Sequence, residues 1–239
     1  MMKRAVILAG GRGLRLRPYT VALPKPLMPV GEYPILEIII RQLRHYGFTH
    51  ITLAVNHQAD VIKAFFQDGK KWGLNIHYSL ETTPLSTMGP LKLIEDLPAH
   101  FLVMNGDVLS DVNYGDFFNE HVANDRMFTI LAYTRQDQVD YGVLRADESS
   151  TLKGFDEKPV NKYLVSMGIY AVSNRVLNHI PDNTAFGFDN LMRTFLKSNV
   201  EVSVSPYNGY WMDIGRPDDY IQASEEFEGM KSVLKIEEQ

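Results

Sequence analysis

The sequence predicts an α/β fold: a single Rossmann-like, three-layer α/β/α domain with a mainly parallel mixed sheet and a small antiparallel extension over the active cleft. Three observations predict it. Short apolar runs alternate with amphipathic stretches through the first half of the chain, the pattern of strands buried between helical layers. A glycine-rich segment directly follows the first apolar run, and open sheets of this kind bind ligands beyond the carboxyl ends of their strands. The middle of the chain carries three strand-like runs whose connections are too short for helical crossovers.

Taken in order, buried strands are predicted over residues 5–9, 50–55, 75–79, 100–104, 128–133 and 201–205, each a compact apolar run. Residues 35–46 read as a helix, with Leu36, Ile39, Ile40, Leu43 and Tyr46 at helical spacing and Pro34 at a favourable first-turn position. Further helices are expected over 59–67, 90–96 and 115–123. Residues 141–146, 151–157 and 164–172 read as the antiparallel strands, with 147–150 (Asp-Glu-Ser-Ser) as a hairpin turn. After Asp219 a charged helix and tail follow, in which Glu225, Glu226, Glu228, Lys231 and Lys235 form a solvated face. The expected division is one domain over 1–239, in two parts over 1–133 and 134–222 followed by a tail over 223–239.

Composition narrows the class. The 239 residues are 45% hydrophobic and 22% charged, ordinary for a chain with a full core. A net charge of −5 argues against nucleic acid as a partner, so the basic residues matter where they cluster. With no cysteine, disulfides, thiolate metal sites and a cysteine nucleophile are all excluded. The chain enters a strand almost at once and has no long apolar run, so no signal peptide and no membrane partner are expected, and the cytoplasm is the default location. Residues 230–236 could pack on their own domain or on a second copy in a homo-oligomer.

The chemistry concentrates in the segment from Leu8 and Ala9 through Gly10, Gly11, Arg12 and Gly13 to Arg15, Arg17 and Pro18, with Lys25-Pro26 just beyond. Glycines let main-chain N–H groups approach an anion closely, and Arg12, Arg15, Arg17 and Lys25 add cations to the same place. A polyphosphate matches. The spacing is not a Walker A loop, because no Lys-Ser or Lys-Thr follows the glycines; nor is it a dinucleotide fingerprint, because no third glycine falls in register and Pro18 discourages helix at Arg17. A NAD-dependent dehydrogenase is therefore disfavoured.

Three more elements carry chemistry. Asn105-Gly106-Asp107 ends a strand and can deliver a carboxylate to Mg²⁺, although an N-G-D sequence alone is often only a turn. Asp213 lies within Trp211-Met-Asp-Ile, where burial would be costly without a cation or metal; the bland alternative is a helix cap near Pro217. Glu157 and Lys158 could meet sugar hydroxyls and a phosphate, or form only a surface ion pair.

Together these residues resemble the sugar nucleotidylyltransferase family, which makes NDP-sugars from an NTP and a sugar 1-phosphate. Its opening signature, roughly G-G-x-G-[TS]-R-L-x-P-x-T followed by K-P, is matched by Gly10, Gly11, Gly13, Arg15, Leu16, Pro18, Thr20, Lys25 and Pro26. The resemblance continues in order through Gly106-Asp107, Tyr141-Gly142, Glu157-Lys158-Pro159 and Trp211-Met-Asp213-Ile-Gly.

The resemblance implies in-line attack by a sugar 1-phosphate oxygen on the α-phosphorus of the NTP, with pyrophosphate leaving and no protein nucleophile. It implies Arg15, Lys25 and Asp107 as catalytic residues, and Asp107 with Asp213 as ligands of a Mg²⁺ cofactor. Nucleotide binding is expected from Leu8, Ala9, Gly10, Gly11, Arg12, Gly13, Arg15, Lys25, Glu81, Pro84, Thr87, Gly89, Asn105 and Asp107. Sugar-phosphate binding is expected from Tyr141, Gly142, Glu157, Lys158, Ser166 and Gly168.

Three departures stand out. Leu14 replaces the usual Thr or Ser. The segment from Glu81 to Gly89 resembles E-x-x-P-L-G-T-A-G but carries Ser86 and Met88, larger side chains expected to narrow the space beside the base. Val165-Ser-Met-Gly168 replaces a common N-A-G, altering one sugar contact. The P-L-x-T-x-G segment and the W-x-D-I-G-R-P-x-D ending resemble guanylyl- and heptose-type members, favouring GTP with a manno-configured sugar 1-phosphate, for polysaccharide or glycoconjugate precursors. UTP, dTTP or CTP stays open as the nucleotide. A non-catalytic nucleotide-sugar sensor is the other reading, opposed by joint retention of Arg15, Lys25, Asp107 and Asp213. With about two dozen residues after Gly215, the long repeat domain of bifunctional members is not expected, and a single reaction is.

Overall fold

A computed structural model describes residues 2–236. In chain order its elements are β1 (Arg4–Leu8), β2 (Pro29–Val30), β3 (Tyr33–Pro34), α1 (Ile35–His45), β4 (His50–Val55), α2 (Ala59–Phe66), β5 (Asn75–Leu80), β6 (His100–Asn105), β7 (Val108–Ser110) and α3 (Tyr114–Ala123). There follow β8 (Phe128–Gln138), β9 (Val143–Ala146), β10 (Leu152–Asp156), β11 (Val160–Ser173), α4 (Phe188–Lys197), β12 (Ser203–Tyr207), β13 (Trp211–Asp213) and α5 (Pro217–Met230).

Seven strands form one sheet in the order β12-β8-β11-β6-β1-β4-β5. β5, β4, β1 and β6 pair in parallel, as do β8 and β12, while β11 runs antiparallel to both its neighbours. The sheet is thus mixed but mainly parallel, as the alternation of apolar and amphipathic runs required. Strand alternation sorts the side chains into two layers. Ala5 and Ile7 of β1 join a core with α1, α2 and α3, whereas Val6 joins the opposite core with Leu191 and Phe195 of α4. α1 starts after Pro34 and buries Leu36, Ile39, Ile40 and Leu43; its buried Glu37 accepts from Arg41 at 2.7 Å and from the Trp72 indole at 3.1 Å.

The structure revises several expectations. Residues 90–96 do not make an α-helix: a short 3₁₀ turn, Gly89–Leu93, takes their place and stops at an extended Ile94. The expected strand over 201–205 lies at Ser203–Tyr207 and includes Pro206, tolerated on a sheet edge. Of the three antiparallel runs, only β9 and β10 form a separate hairpin; the third extends into β11 and inserts between β6 and β8. The outer halves of β8 and β11 leave the sheet as an exposed ribbon beside that hairpin. Residues 230–236 fold back onto their own domain, with Leu234 and Ile236 buried in the core. Residues 1 and 237–239 of the expected domain and tail lie outside the described residues.

Candidate active site

The parallel strands deliver their carboxyl ends side by side. Reading across β5, β4, β1 and β6, these ends present Glu81, Asn56, the glycine loop after Leu8, and Asn105-Gly106-Asp107. Main-chain bonds lock this rim: Glu81 N–H donates to Val55 at 2.9 Å, Ala9 N–H to Ala54 at 2.8 Å and Gly106 N–H to Leu8 at 3.0 Å.

The loop itself is built to expose donors. Gly13 adopts φ +59°, and an added Cβ would meet Thr20 at 2.9 Å, so both conformation and space require glycine. Thr20 Oγ1 pins the loop by donating to the Gly13 carbonyl at 2.7 Å. Among the described residues, no acceptor takes the N–H groups of residues 10–13. Consecutive unpaired amides of this kind form a nest for an anion. Arg12, Arg15 and Arg17 are exposed around it, and none joins an ion pair among the described residues.

Two adjoining cavities meet at this loop. One, of about 420 Å³, is lined by Gly10, Asn56, Glu81, Pro84, Ser86 and Thr87 among others. The second, of about 400 Å³, is lined by Gly13, Leu14, Arg15, Lys25 and Gly215. Gly11, Arg12 and Asp107 belong to both. Glu81 organises the first: its carboxylate accepts from Leu85 N–H at 2.6 Å and from the Asn56 amide at 2.9 Å.

The second cavity gathers the charged residues. The buried ammonium of Lys25 pairs with Asp107 Oδ2, whereas Asp107 Oδ1 is buried without a partner. β13 pairs antiparallel with β7, placing Asp213 opposite Val108, and Ile214 N–H donates to the Asp107 carbonyl at 3.0 Å. The two aspartates are therefore neighbours. Asp213 is not buried, as its apolar flanks suggested, but exposed beside Asp107, and it lines neither cavity. Its acidity is nevertheless weakened, first by partial desolvation and then by Asp107, with Lys25 and Arg15 opposing. The Arg15 guanidinium lies over Gly215, where an added Cβ would come within 3.5 Å of it. Asp213 does not cap α5; Asp219 does, accepting from Gly215 N–H at 3.1 Å and Arg216 N–H at 2.7 Å.

Not every expected residue reaches the cavities. Leu8, Asn105 and Asp107 line the first, but Ala9 is buried in strand-like pairing. Gly89 is buried too: its N–H donates to Phe186, and a side chain there would meet Leu85 and the Thr184 carbonyl at 2.9 Å. Met88 points into the α4-side core at 0% exposure, so it does not narrow the cavity; only Ser86, at φ +66°, lines it. Thr87 faces the cavity while its hydroxyl accepts from Phe188 N–H at 2.8 Å, tying this segment to α4.

The expected sugar-side residues form a second group on the ribbon and hairpin. Gly142 lies against Phe155 and near Glu157 Oε2, and Tyr141 is strongly exposed. Neither Glu157 nor Lys158 joins an ion pair among the described residues, so the surface pair weighed for them is not made. None of these four lines either cavity. Ser166 turns inward instead: its hydroxyl meets Tyr170 at 3.1 Å and accepts from Gly168 N–H at 3.2 Å, at the irregularity in the β8–β11 pairing. Gly168 in turn packs against the Asn105 side chain. Sequence reasoning missed Asn56 and Gly215; the first follows a strand directly, so the carboxyl-end rule would have found it.

Residues 4–229 match the nucleotidyl transferase family, to which the chain belongs. A mannose-1-phosphate guanyltransferase of Yarrowia lipolytica is 34% identical over 229 residues, covering 92% of this chain and 63% of that protein. A UTP–glucose-1-phosphate uridylyltransferase of Synechocystis sp. is 30% identical over 240 residues, covering 92% of this chain and 62% of that protein. The solved structure of HddC from Yersinia pseudotuberculosis complexed with GMP-PN aligns with a TM-score of 0.73 at 27% identity, covering 95% of this chain and 100% of that one. The chain thus spans slightly under two thirds of the curated relatives it matches, 63% of the Yarrowia protein. Among the described residues no helix is long and apolar enough to cross a membrane.

Proposed function

We propose that this chain is a sugar-1-phosphate nucleotidylyltransferase acting in the cytoplasm, joining GTP and a manno-configured sugar 1-phosphate into an NDP-sugar with release of pyrophosphate. One observation carries the reading: an unpaired amide nest, the cations of Arg12, Arg15 and Lys25 and the Asp107 carboxylate converge where two cavities join, with Asp213 held next to Asp107. The amides of residues 10–13 and the side chains of Arg12 and Arg15 hold the triphosphate, the charge of which they match. Glu81 and Asn56 shape the cavity for the base. Lys25 steadies phosphate at the junction, and Arg15 meets the charge that develops on the departing pyrophosphate. Holding both substrates in line supplies the remaining acceleration, with no protein nucleophile.

The residues present also suit a divalent cation such as Mg²⁺. Asp107 has a buried oxygen without a partner, and Asp213 adds a second carboxylate beside it. Among the described residues no cluster of three or more His, Cys, Asp or Glu could hold a metal, so phosphate oxygens would complete the set. When bound, the ion supplies Lewis-acid stabilisation of charge on the triphosphate. Tyr141, Gly142, Glu157 and Lys158 are assigned to the sugar phosphate, with Gly168 shaping the wall of the first cavity through Asn105.

Guanosine is favoured by the Yarrowia relative and by the HddC complex with GMP-PN, whereas the Synechocystis relative favours UTP. The deciding experiment sets ATP, GTP, CTP, UTP and dTTP against a panel of sugar 1-phosphates with Mg²⁺ and measures pyrophosphate. GTP with mannose 1-phosphate or a related sugar is expected to turn over fastest. A UTP-dependent maximum would reassign the base, and no release from any pair would support a nucleotide-sugar sensor instead.

A further inference from the structure

The pairing at Asp107 is peculiar for a metal ligand. One of its oxygens is already taken by the Lys25 ammonium, and the other is buried with nothing bonded to it. The Lys25 side chain is only 10% exposed and that of Asp107 24%, so neither charge is well served by water. Isolating such a carboxylate without a cation is strongly unfavourable. Lys25 therefore neutralises Asp107 in the free protein, and the Arg15 guanidinium over Gly215 adds a second positive charge beside Asp213. Two carboxylates beside two cations leave little net attraction for a divalent ion.

A triphosphate changes that balance. Lys25 lines the same cavity as the loop from Gly11 to Arg15. Its flexible four-carbon stem lets the ammonium turn from Asp107 towards phosphate oxygens. We infer that Lys25 is a placeholder cation: it occupies the Asp107 carboxylate in the free protein and yields it only when metal arrives together with the triphosphate. Metal alone then binds poorly, and metal and nucleotide each strengthen the other's binding by the same factor. This inference rests on the reading of the site given under Proposed function.

The test is a Mn²⁺ titration of the full chain followed by electron paramagnetic resonance, first without nucleotide and then with a non-hydrolysable GTP analogue. The wild-type protein should bind Mn²⁺ weakly alone and on the order of tenfold or more tightly with the analogue. Lys25→Met, which keeps the unbranched stem and removes the charge, should bind Mn²⁺ alone about tenfold more tightly than wild type. The double variant Lys25→Met with Asp107→Asn should lose that gain. Lys25→Gln serves as a second neutral variant, circular dichroism verifies folding, and the wild-type comparison needs no variant. Tight Mn²⁺ binding by nucleotide-free wild type, or no gain from either neutral variant, would overturn the placeholder role while leaving the enzyme reading intact. Failure of the analogue to bind at all would overturn the GTP reading given under Proposed function, while the nucleotide-free comparison of Lys25→Met with wild type still decides the placeholder role.

Discussion

His121 offers a sharp prediction about stability. It is fully buried on α3, its Nδ1 is 2.8 Å from Thr129 Oγ1, and its Nε2 is 3.1 Å from His100 Nδ1. Burial, followed by the neighbouring His100, pushes its pKa from 6.5 down to about 4. The unfolded chain therefore takes up a proton near pH 6.5 that the folded chain refuses until about pH 4. Folding stability from this residue is complete above pH 6.5 and is lost as pH falls towards 4. At about 1.4 kcal/mol per pH unit, the loss reaches about 3 kcal/mol across that window. The perturbation is His121→Gln, which removes the titration but keeps a polar side chain. Urea unfolding of both proteins at several pH values between 7 and 4 measures it. The variant should be the less stable at pH 7, and the gap should shrink by about 3 kcal/mol by pH 4. A gap that stays constant with pH would refute the argument.

Two predictions concern the site. Arg15→Ala should lower turnover on the order of 10²–10³, because a positioned charge donor is lost. Its exposed side chain means the melting temperature should hardly change, so a full-rate variant in a pyrophosphate assay would remove Arg15 from catalysis. Asp213→Asn should abolish metal-dependent turnover yet stabilise the free protein slightly at neutral pH. The raised pKa of Asp213 means that ionisation opposes folding, and this penalty grows as pH climbs through the carboxylate range. Solvent at the cleft limits the gain to about 1 kcal/mol or less. A clear loss of stability at pH 7 would contradict it.

Much of the fold was legible because its signals are local. Apolar runs set the strands, and their alternation splits Ala5 and Ile7 from Val6 across the two faces of the sheet. Gly13 announces a backbone conformation that other residues resist, and the parallel order of β5, β4, β1 and β6 puts its loop beside Glu81 and Asp107. Met88 shows where local reading stops. Position within a segment does not say which way a side chain points, and here the pairing of residues 88–89 with Phe186 turns it into the core. Ser166 is similar, because an irregular stretch of β11 turned its hydroxyl onto Tyr170.

By itself, then, the sequence determined most of the elements, the glycine-rich loop and the inventory of charged groups, since each depends on neighbours a few residues away. Tertiary structure alone decided that β11 reverses direction between β6 and β8, and that Lys25 meets Asp107 across 82 residues of chain. It also decided that β13 returns Asp213 to the side of Asp107. Those outcomes depend on which distant strands pair and which charges desolvate together, and no short-range pattern encodes either.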